Sequence, residues 1–427
     1  MSQCNVICLA IDRLNAGYLG AYGNTWIRTP ALDRLAAESF VFDRATIDSP
    51  DLAAQYCSLW MGLHALCPQS RAARRGALVE QLNASGYRSL LLTDEPIVAE
   101  HALASRFEER VVIGSDGARD GAKVTANVEE TDAARFFAAA CDWLESARDT
   151  FFLWLHTATL GRVWDAPIEF RQQYTDQDDP AAGRSADVPN RLLTENFDPD
   201  ELLAITHAYA GQVTLLDQLL GSFVEALEET GLGASTLFVI LSPRGFPLGE
   251  HRRVGSCDEA IYSELVHVPW IWRFPESNKQ TGRSQALVQP AELYATILEQ
   301  CGVGSEGQLR AGEGRSIVPL AHGQSAATFD RACVVGPAGQ RGIVVPAWSL
   351  RLSEGALKGA DAAATQMTRA ELFAKPDDWF EVNEVSDRCP EVAQQLAATF
   401  SAFSEGCRAG MPAEPAMLPD ELMAGIE

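Results

Sequence analysis

Three apolar runs in this 427-residue chain lead into residues whose side chains can do chemistry. Asn5 to Ile11 (NVICLAI) ends on Asp12 and Arg13. Phe151 to His156 (FFLWLH) ends on a histidine, and Thr236 to Leu241 (TLFVIL) leads to Pro243, Arg244 and Gly245. A carboxylate beside guanidiniums makes strong, charge-assisted hydrogen bonds, and a histidine offers general acid–base chemistry. Two arginines facing one crevice also suit a small anion such as sulfate or phosphate, because the guanidinium fork binds such groups bidentately. Gly249, Glu250 and His251 (GEH) supply a second histidine. Asp51 and Cys57 are possible nucleophiles, but an acid at a helix start is more often a cap, and Cys57 reads as helix core.

The elements that must position these groups read as an α/β protein. A short, β-branched run without amphipathic period is a buried strand of a parallel sheet, and open α/β sheets build their ligand sites at the carboxyl ends of such strands. Tyr87 to Thr93 and Trp270 to Phe274 add two more strands. Thr29-Pro30 predicts a capped helix from Pro30 to Ala37. Further helices are expected over Ser58 to Leu63, Ala77 to Ser85 and Thr131 to Ala147. The clearest one is capped by Asp198, starts at Pro199 and carries Leu202, Ile205, Tyr209, Val213, Leu216, Leu220, Phe223 and Leu227 at helical spacing, with Gly231 to end it. Residues 165–197, polar and rich in Asp and Pro, read as a surface excursion or mobile loop. Past residue 325 short β-rich runs (Ala332 to Val335, Gly342 to Val345, Trp348 to Leu352) precede a helix from Pro390 to Phe403. The expected organisation is therefore a large α/β domain over 1–325, a small α+β subdomain over 326–408, and a loosely held tail over 409–427. Trp154, Trp270 and Trp272 are expected to pack the sheet.

Bulk composition narrows the function classes. With 34 Lys+Arg against 58 Asp+Glu the net charge is -24, which disfavours nucleic acid or an anionic membrane surface as the main partner. The 10 cysteines show no CxxC spacing, so reduced buried thiols are expected in place of a disulfide framework. No apolar stretch approaches the ~20 residues of a membrane span. Strand one starts close to Met1, leaving no room for a signal peptide, and a cytoplasmic location is the expectation.

The chain resembles the sulfatases of the alkaline phosphatase superfamily. The resemblance rests on LNAGYLGAYG after the first strand, TPALDRLAAESFVFDRA, the strand ending in His156, YAGQVTLLDQLLGSFVEALEETGLG, LFVILSPRGFPLGEH, YSELVHVPWIWRFP and the closing ELFAKPDDWFEVNEVSDRCPEVAQQL. It implies a large, mostly parallel sheet flanked by helices with a small C-terminal subdomain, and a sulfuric-ester hydrolase site. That site would use a divalent cation such as calcium and a Cys or Ser nucleophile matured to formylglycine. Counting back from Gly62 puts the nucleophile at Leu52 and the family arginine at Tyr56. The first metal pair, Asp-Asp, falls on Asp12 and Arg13; the second, Asp then His or Asn, falls on Pro243 and Arg244. The sulfate-contacting lysines fall near Asp94 and at Ser256, and a second histidine falls near Leu160 or Gly161. Asp12, His156 and the GEH element are the survivors.

These replacements predict that no metal or other cofactor is held and that sulfatase activity is lost. Asp12, Arg13 and Arg244 are expected to form an internal ion cluster in the former metal site, with His251 beside it and a small anion as its possible ligand. The rivals are an active sulfatase or phosphoesterase with a rebuilt, metal-independent site using Asp51 or a histidine, and an interaction protein that recruits an unknown partner through its acidic face and the 165–197 loop.

Overall fold

The computed structural model describes residues 4–72, 75–114, 121–256, 260–304, 309–325, 329–355, 367–413 and 418–423. Ten strands precede residue 300: β1 (Asn5–Ile11), β2 (Phe40–Ala45), β3 (Arg88–Thr93), β4 (Glu109–Val112), β5 (Phe151–Thr157), β6 (Asn190–Leu192), β7 (Thr236–Leu241), β8 (Arg253–Gly255), β9 (Trp270–Arg273) and β10 (Gly282–Val288). Eight of them make one sheet in the order β10-β2-β9-β7-β1-β5-β3-β4. β1 is parallel to both β5 and β7, and all pairs are parallel except those of β9, which runs against β7 and β2. The βα reading of the Trp270 strand is corrected on this point. A parallel return needs a crossover to the other end of the sheet; the chain between β7 and β9 instead carries only short helical turns and β8, and enters β9 from the end where β7 stops.

Alternation along β1 divides the core. Val6, Cys8 and Ala10 face one side, with Tyr56, Trp60, Leu82 and Ile297. Ile7, Leu9 and Ile11 face the other, with Leu35, Phe136, Leu216 and Phe223. The helices Leu52–Met61, Leu78–Ala84 and Ala291–Gln300 cover the first face; Pro30–Ala37, Asp132–Ser146 and the long Pro199–Glu229 cover the second. Each large apolar side chain buried this way contributes about 1.5–3 kcal/mol. The long helix starts as its sequence dictates: Asp198 accepts from Asp200 N at 3.0 Å and Pro199 occupies the first turn.

Helix Pro30–Ala37 has the expected bounds, but Thr29 does not cap it. Thr29 Oγ1 donates to Asp33 at 3.2 Å and accepts from Gly20 N. The helix's first amides are taken by Asp217, reaching from the long helix to Ala31 N (3.0 Å) and Leu32 N (2.8 Å). Residues 165–197 hold the helix Ile168–Gln172 and β6, which pairs with β8.

The C-terminal region forms a separate antiparallel sheet of β11 (Ala332–Val335), β12 (Arg341–Val344), β13 (Trp348–Gly355) and β14 (Met367–Ala374), covered by the helix Pro390–Ala409. β14 runs into the closing ELFAKP segment (residues 371–376) and has no counterpart in the expected strands. The expected boundary at 325/326 falls beside residues 326–328, outside the described residues, as do 414–417 and 424–427 of the expected loose tail. The described part of that tail is anchored, with Leu418 and Leu422 buried against the C-terminal sheet. Among the described residues no helix is long and apolar enough to cross a membrane.

Candidate functional site

Asp12 and Arg244 meet where β1 and β7 end side by side. Arg244 Nε donates to Asp12 Oδ1 at 3.0 Å and its Nη2 donates to Oδ2, so the guanidinium fork closes on both carboxylate oxygens. Asp12 is 1% exposed. Burial opposes its ionisation, but the charge and hydrogen bonds of Arg244, the charge of Arg13 and the neighbouring His156 outweigh it and hold the pKa at about 2. The pair stays in register because Ser242 Oγ accepts from Leu14 N at 3.2 Å and donates to the Arg244 carbonyl at 2.6 Å.

Arg13 reaches this cluster through an unusual backbone. Its φ of 69° lies in the left-handed region, which costs a non-glycine residue energy and persists only where the surroundings hold it. Tyr209, from the long helix, supplies the hold: its hydroxyl donates to the Arg13 carbonyl at 2.8 Å and accepts from Asn15 N at 2.9 Å. The Arg13 side chain, 3% exposed, runs over Gly161, where a Cβ would sit 3.0 Å from its Cγ. A side chain at Gly161, one of the two positions expected for a second histidine, would therefore crowd Arg13.

His156 closes the other side. It is fully buried, its Nδ1 lies 2.5 Å from Tyr56 Oη, and Trp154 Nε1 donates to the same phenol oxygen at 3.1 Å. Its Nε2 is buried with no hydrogen-bond partner. Burial first, and the Arg244 charge, lower its pKa to about 4 against the opposing pull of Asp12, so the ring is neutral at pH 7. Tyr56, the position expected for the family arginine, is thus an uncharged strut between His156 and Trp154. Its neighbour Gln55 donates from Nε2 to the Pro243 carbonyl at 2.9 Å. Gln55 did not stand among the expected site positions, although the count that reached Tyr56 passes through it.

The remaining expected positions fall as follows. Leu52 is buried as the first residue of helix Leu52–Met61, which starts six residues before the expected Ser58 because Asp51 caps it, accepting from Ala54 N at 2.8 Å. Cys57 lies further along that helix, 3.7 Å from His101 Nε2. Asp94, in place of a lysine, is buried and accepts from Ala158 N (2.7 Å) and Thr157 Oγ1 (3.1 Å), and burial lifts its pKa to about 6. Ser256 follows β8.

His251 corrects the expected cluster. Both its ring nitrogens are engaged elsewhere, Nδ1 with Glu264 Oε1 at 2.9 Å and Nε2 with the Glu381 carbonyl at 3.0 Å, and the ring stacks on Tyr262 at 3.5 Å. Burial works against its protonation, but Glu264 and Glu381 outweigh this and raise its pKa. The GEH element fastens the end of the sheet to the C-terminal region, and His251 is not a partner of Asp12.

A hard divalent cation needs several carboxylate or amide oxygens at once. Both Asp12 oxygens accept from the Arg244 guanidinium, the Arg13 charge also acts on that carboxylate, and Pro243 has no side-chain oxygen while its carbonyl takes Gln55. These residues do not fit the family's metal. Among the described residues no group of three or more His, Cys, Asp or Glu is placed to hold one.

Comparison with known proteins places the chain. The sulfatase family model matches residues 4–303. An endo-4-O-sulfatase of Bacteroides thetaiotaomicron is 26% identical over 213 residues, which is 44% of this chain and 39% of that protein. The chain thus spans well under half the length of the curated relatives it matches. Among solved structures, the phosphonate monoester hydrolase of Agrobacterium radiobacter superposes with a TM-score of 0.75 at 15% identity, covering 95% of this chain and 96% of that one. A protein solved with its substrate D-glucosamine-2-N,6-O-disulfate gives 0.76 at 16% identity, covering 97% and 100%. The likeness to the solved structures shows the fold; together with a family match over 4–303, it means that the chain belongs to the sulfatase family.

Proposed function

We propose that this protein is a non-catalytic member of the sulfatase family, in which an internal ion pair has replaced the divalent metal and no nucleophile remains. The observation that carries this reading is the bidentate grip of Arg244 on Asp12, a carboxylate with no oxygen left for a metal, together with a leucine at the nucleophile position. The direction of the change supports it. Losing a metal alone would strand a buried carboxylate, whereas Arg13 and Arg244 return about the same positive charge in fixed form. Each charge-assisted hydrogen bond to the carboxylate is worth roughly 1.5–3 kcal/mol. Neither rival gains a specific contact: Asp51 is engaged as a helix cap, and His156 is sealed from solvent. The nine described cysteines are all free, which suits the reducing cytoplasm.

The test is turnover and metal response together. Aryl sulfate, phosphate monoester, phosphate diester and phosphonate monoester substrates should give no turnover above background, with or without calcium. Calcium or magnesium should leave the melting temperature unchanged. A triple variant, Arg13→Asp with Pro243→Asp and Arg244→Asn, should gain a calcium-dependent rise in melting temperature by mass action. Hydrolysis of any of these esters by the unmodified protein, abolished by His156→Gln, would establish the rebuilt-site reading instead.

A further inference from the structure

A cleft of about 770 Å³ opens at the same end of the sheet, between the loop after β1, the end of β2, the segment entering β9, β10 and the turn that follows β14. None of Asp12, Arg13, His156 or Arg244 lines it. Its volume is that of a small-molecule site. Ten large apolar side chains are exposed among the described residues, and three of them, Trp26, Trp379 and Phe380, line this one cleft. Tyr18 and Tyr22 extend the aromatic wall.

The charged groups of the cleft are matched to neighbours with one exception. Arg283 pairs with Asp43, Lys375 with Glu381 at 3.2 Å, and Glu264 with His251 at 2.9 Å. Glu250 accepts from Leu248 N at 2.5 Å, and burial favours its protonated form. The Asn24 amide is occupied by Gly17 O and the amides of Trp26 and Ile27. Arg44 is the exception. It is half-buried at the end of β2, donates to the Val345 carbonyl at 2.9 Å, and forms no ion pair among the described residues. Beside it, His267 donates from Nε2 to the Asp43 carbonyl at 2.7 Å and presents its ring edge-on to Trp379, centroids 4.8 Å apart. Removing a guanidinium from water without a counter-charge is costly, and exposed indoles leave apolar surface in water. One ligand chemistry resolves both.

We infer that this cleft binds a small organic anion, with a carboxylate, sulfonate or phosphate head on Arg44 and a flat apolar body against Trp26, Trp379 and Phe380. A bare inorganic anion would leave the indoles wet. A neutral hydrocarbon or an uncharged sugar would leave Arg44 unmatched. The inference does not depend on whether the Asp12 site is silent.

Two fluorescent probes of the same shape test it: 8-anilino-1-naphthalenesulfonate, which carries the anion, and N-phenyl-1-naphthylamine, which lacks it. The sulfonate should bind the folded protein saturably with one site, quench tryptophan emission and bind about tenfold tighter than the amine. Arg44→Gln should weaken the sulfonate by about tenfold and leave the amine within about twofold, whereas Trp379→Ala should weaken both. Trp379 and Trp26 are each 41% exposed, so their alanine variants should fold even if Arg44→Gln does not. Equal affinity for the two probes, an unchanged sulfonate affinity in Arg44→Gln or Arg44→Lys, or an unchanged affinity for both probes in Trp26→Ala and Trp379→Ala would overturn the proposal.

Discussion

At the ends of β1 and β7 the charged side chains are closed on one another, whereas beside β2 Arg44, without an ion pair among the described residues, and three exposed aromatic side chains face an open cleft. Both places lie at the carboxyl end of one sheet, where α/β folds build ligand sites. The difference teaches that position alone does not make a site. Arg244 has both oxygens of a carboxylate buried against it, and Arg13 is covered, so the ends of β1 and β7 hold their charges internally. Arg44 has only a carbonyl, so its charge remains available to something that arrives from outside.

The sharpest way to break the comparison is to open the closed side. Arg244→Met leaves Asp12 buried without its counter-charge and should cost about 3–5 kcal/mol in urea unfolding. Adding Asp12→Leu to that variant should recover much of the loss, since replacing both members of a buried pair is often close to neutral. If Arg244→Met alone changes stability by no more than a surface substitution, the two regions do not differ as described.

A smaller effect should appear with pH. His156 has a folded pKa of about 4 against 6.5 for the unperturbed group, so the unfolded chain binds the extra proton between those values. Its contribution is fully present above pH 6.5 and is lost as pH falls toward 4, on the order of 3 kcal/mol at the acid end. His156→Gln should flatten the fall in stability over that window. Asp12, a carboxylate, acts in the same direction: depressed from 3.8 to about 2, it adds stability that is fully present above the ordinary carboxylate range and is lost as pH falls from about 4 to 2. An unaltered pH profile in His156→Gln would show that the ring is not held neutral as the burial requires.

The smallest effect concerns the cap. Asp51→Ala should lose about 1 kcal/mol, the usual worth of a side-chain N-cap, and no catalytic function with it. A much larger loss, or any change in a measurable activity, would make Asp51 more than a cap.

Much of the scaffold was legible in the residue order. The buried strands at Asn5–Ile11 and Thr236–Leu241, the helix Pro30–Ala37 and the long helix from Pro199 are written in apolar runs, a proline at the first turn and a 3.6-residue stripe, all short-range properties. So were the residue types at the ends of β1 and β7 and at the start of helix Leu52–Met61, since a leucine, a proline and two arginines carry their chemistry wherever they sit. Only the tertiary structure could decide who meets whom. It closed Arg244 on both oxygens of Asp12 but took His251 away to Glu264 and the Glu381 carbonyl, sent Asp217 rather than Thr29 to the first amides of a helix 185 residues away, reversed β9, and left Arg44 facing a cleft. Hydrogen-bond partners separated by hundreds of residues are chosen by the register of the sheet and the packing of its loops. Those are energies of the assembled chain, to which no local pattern has access.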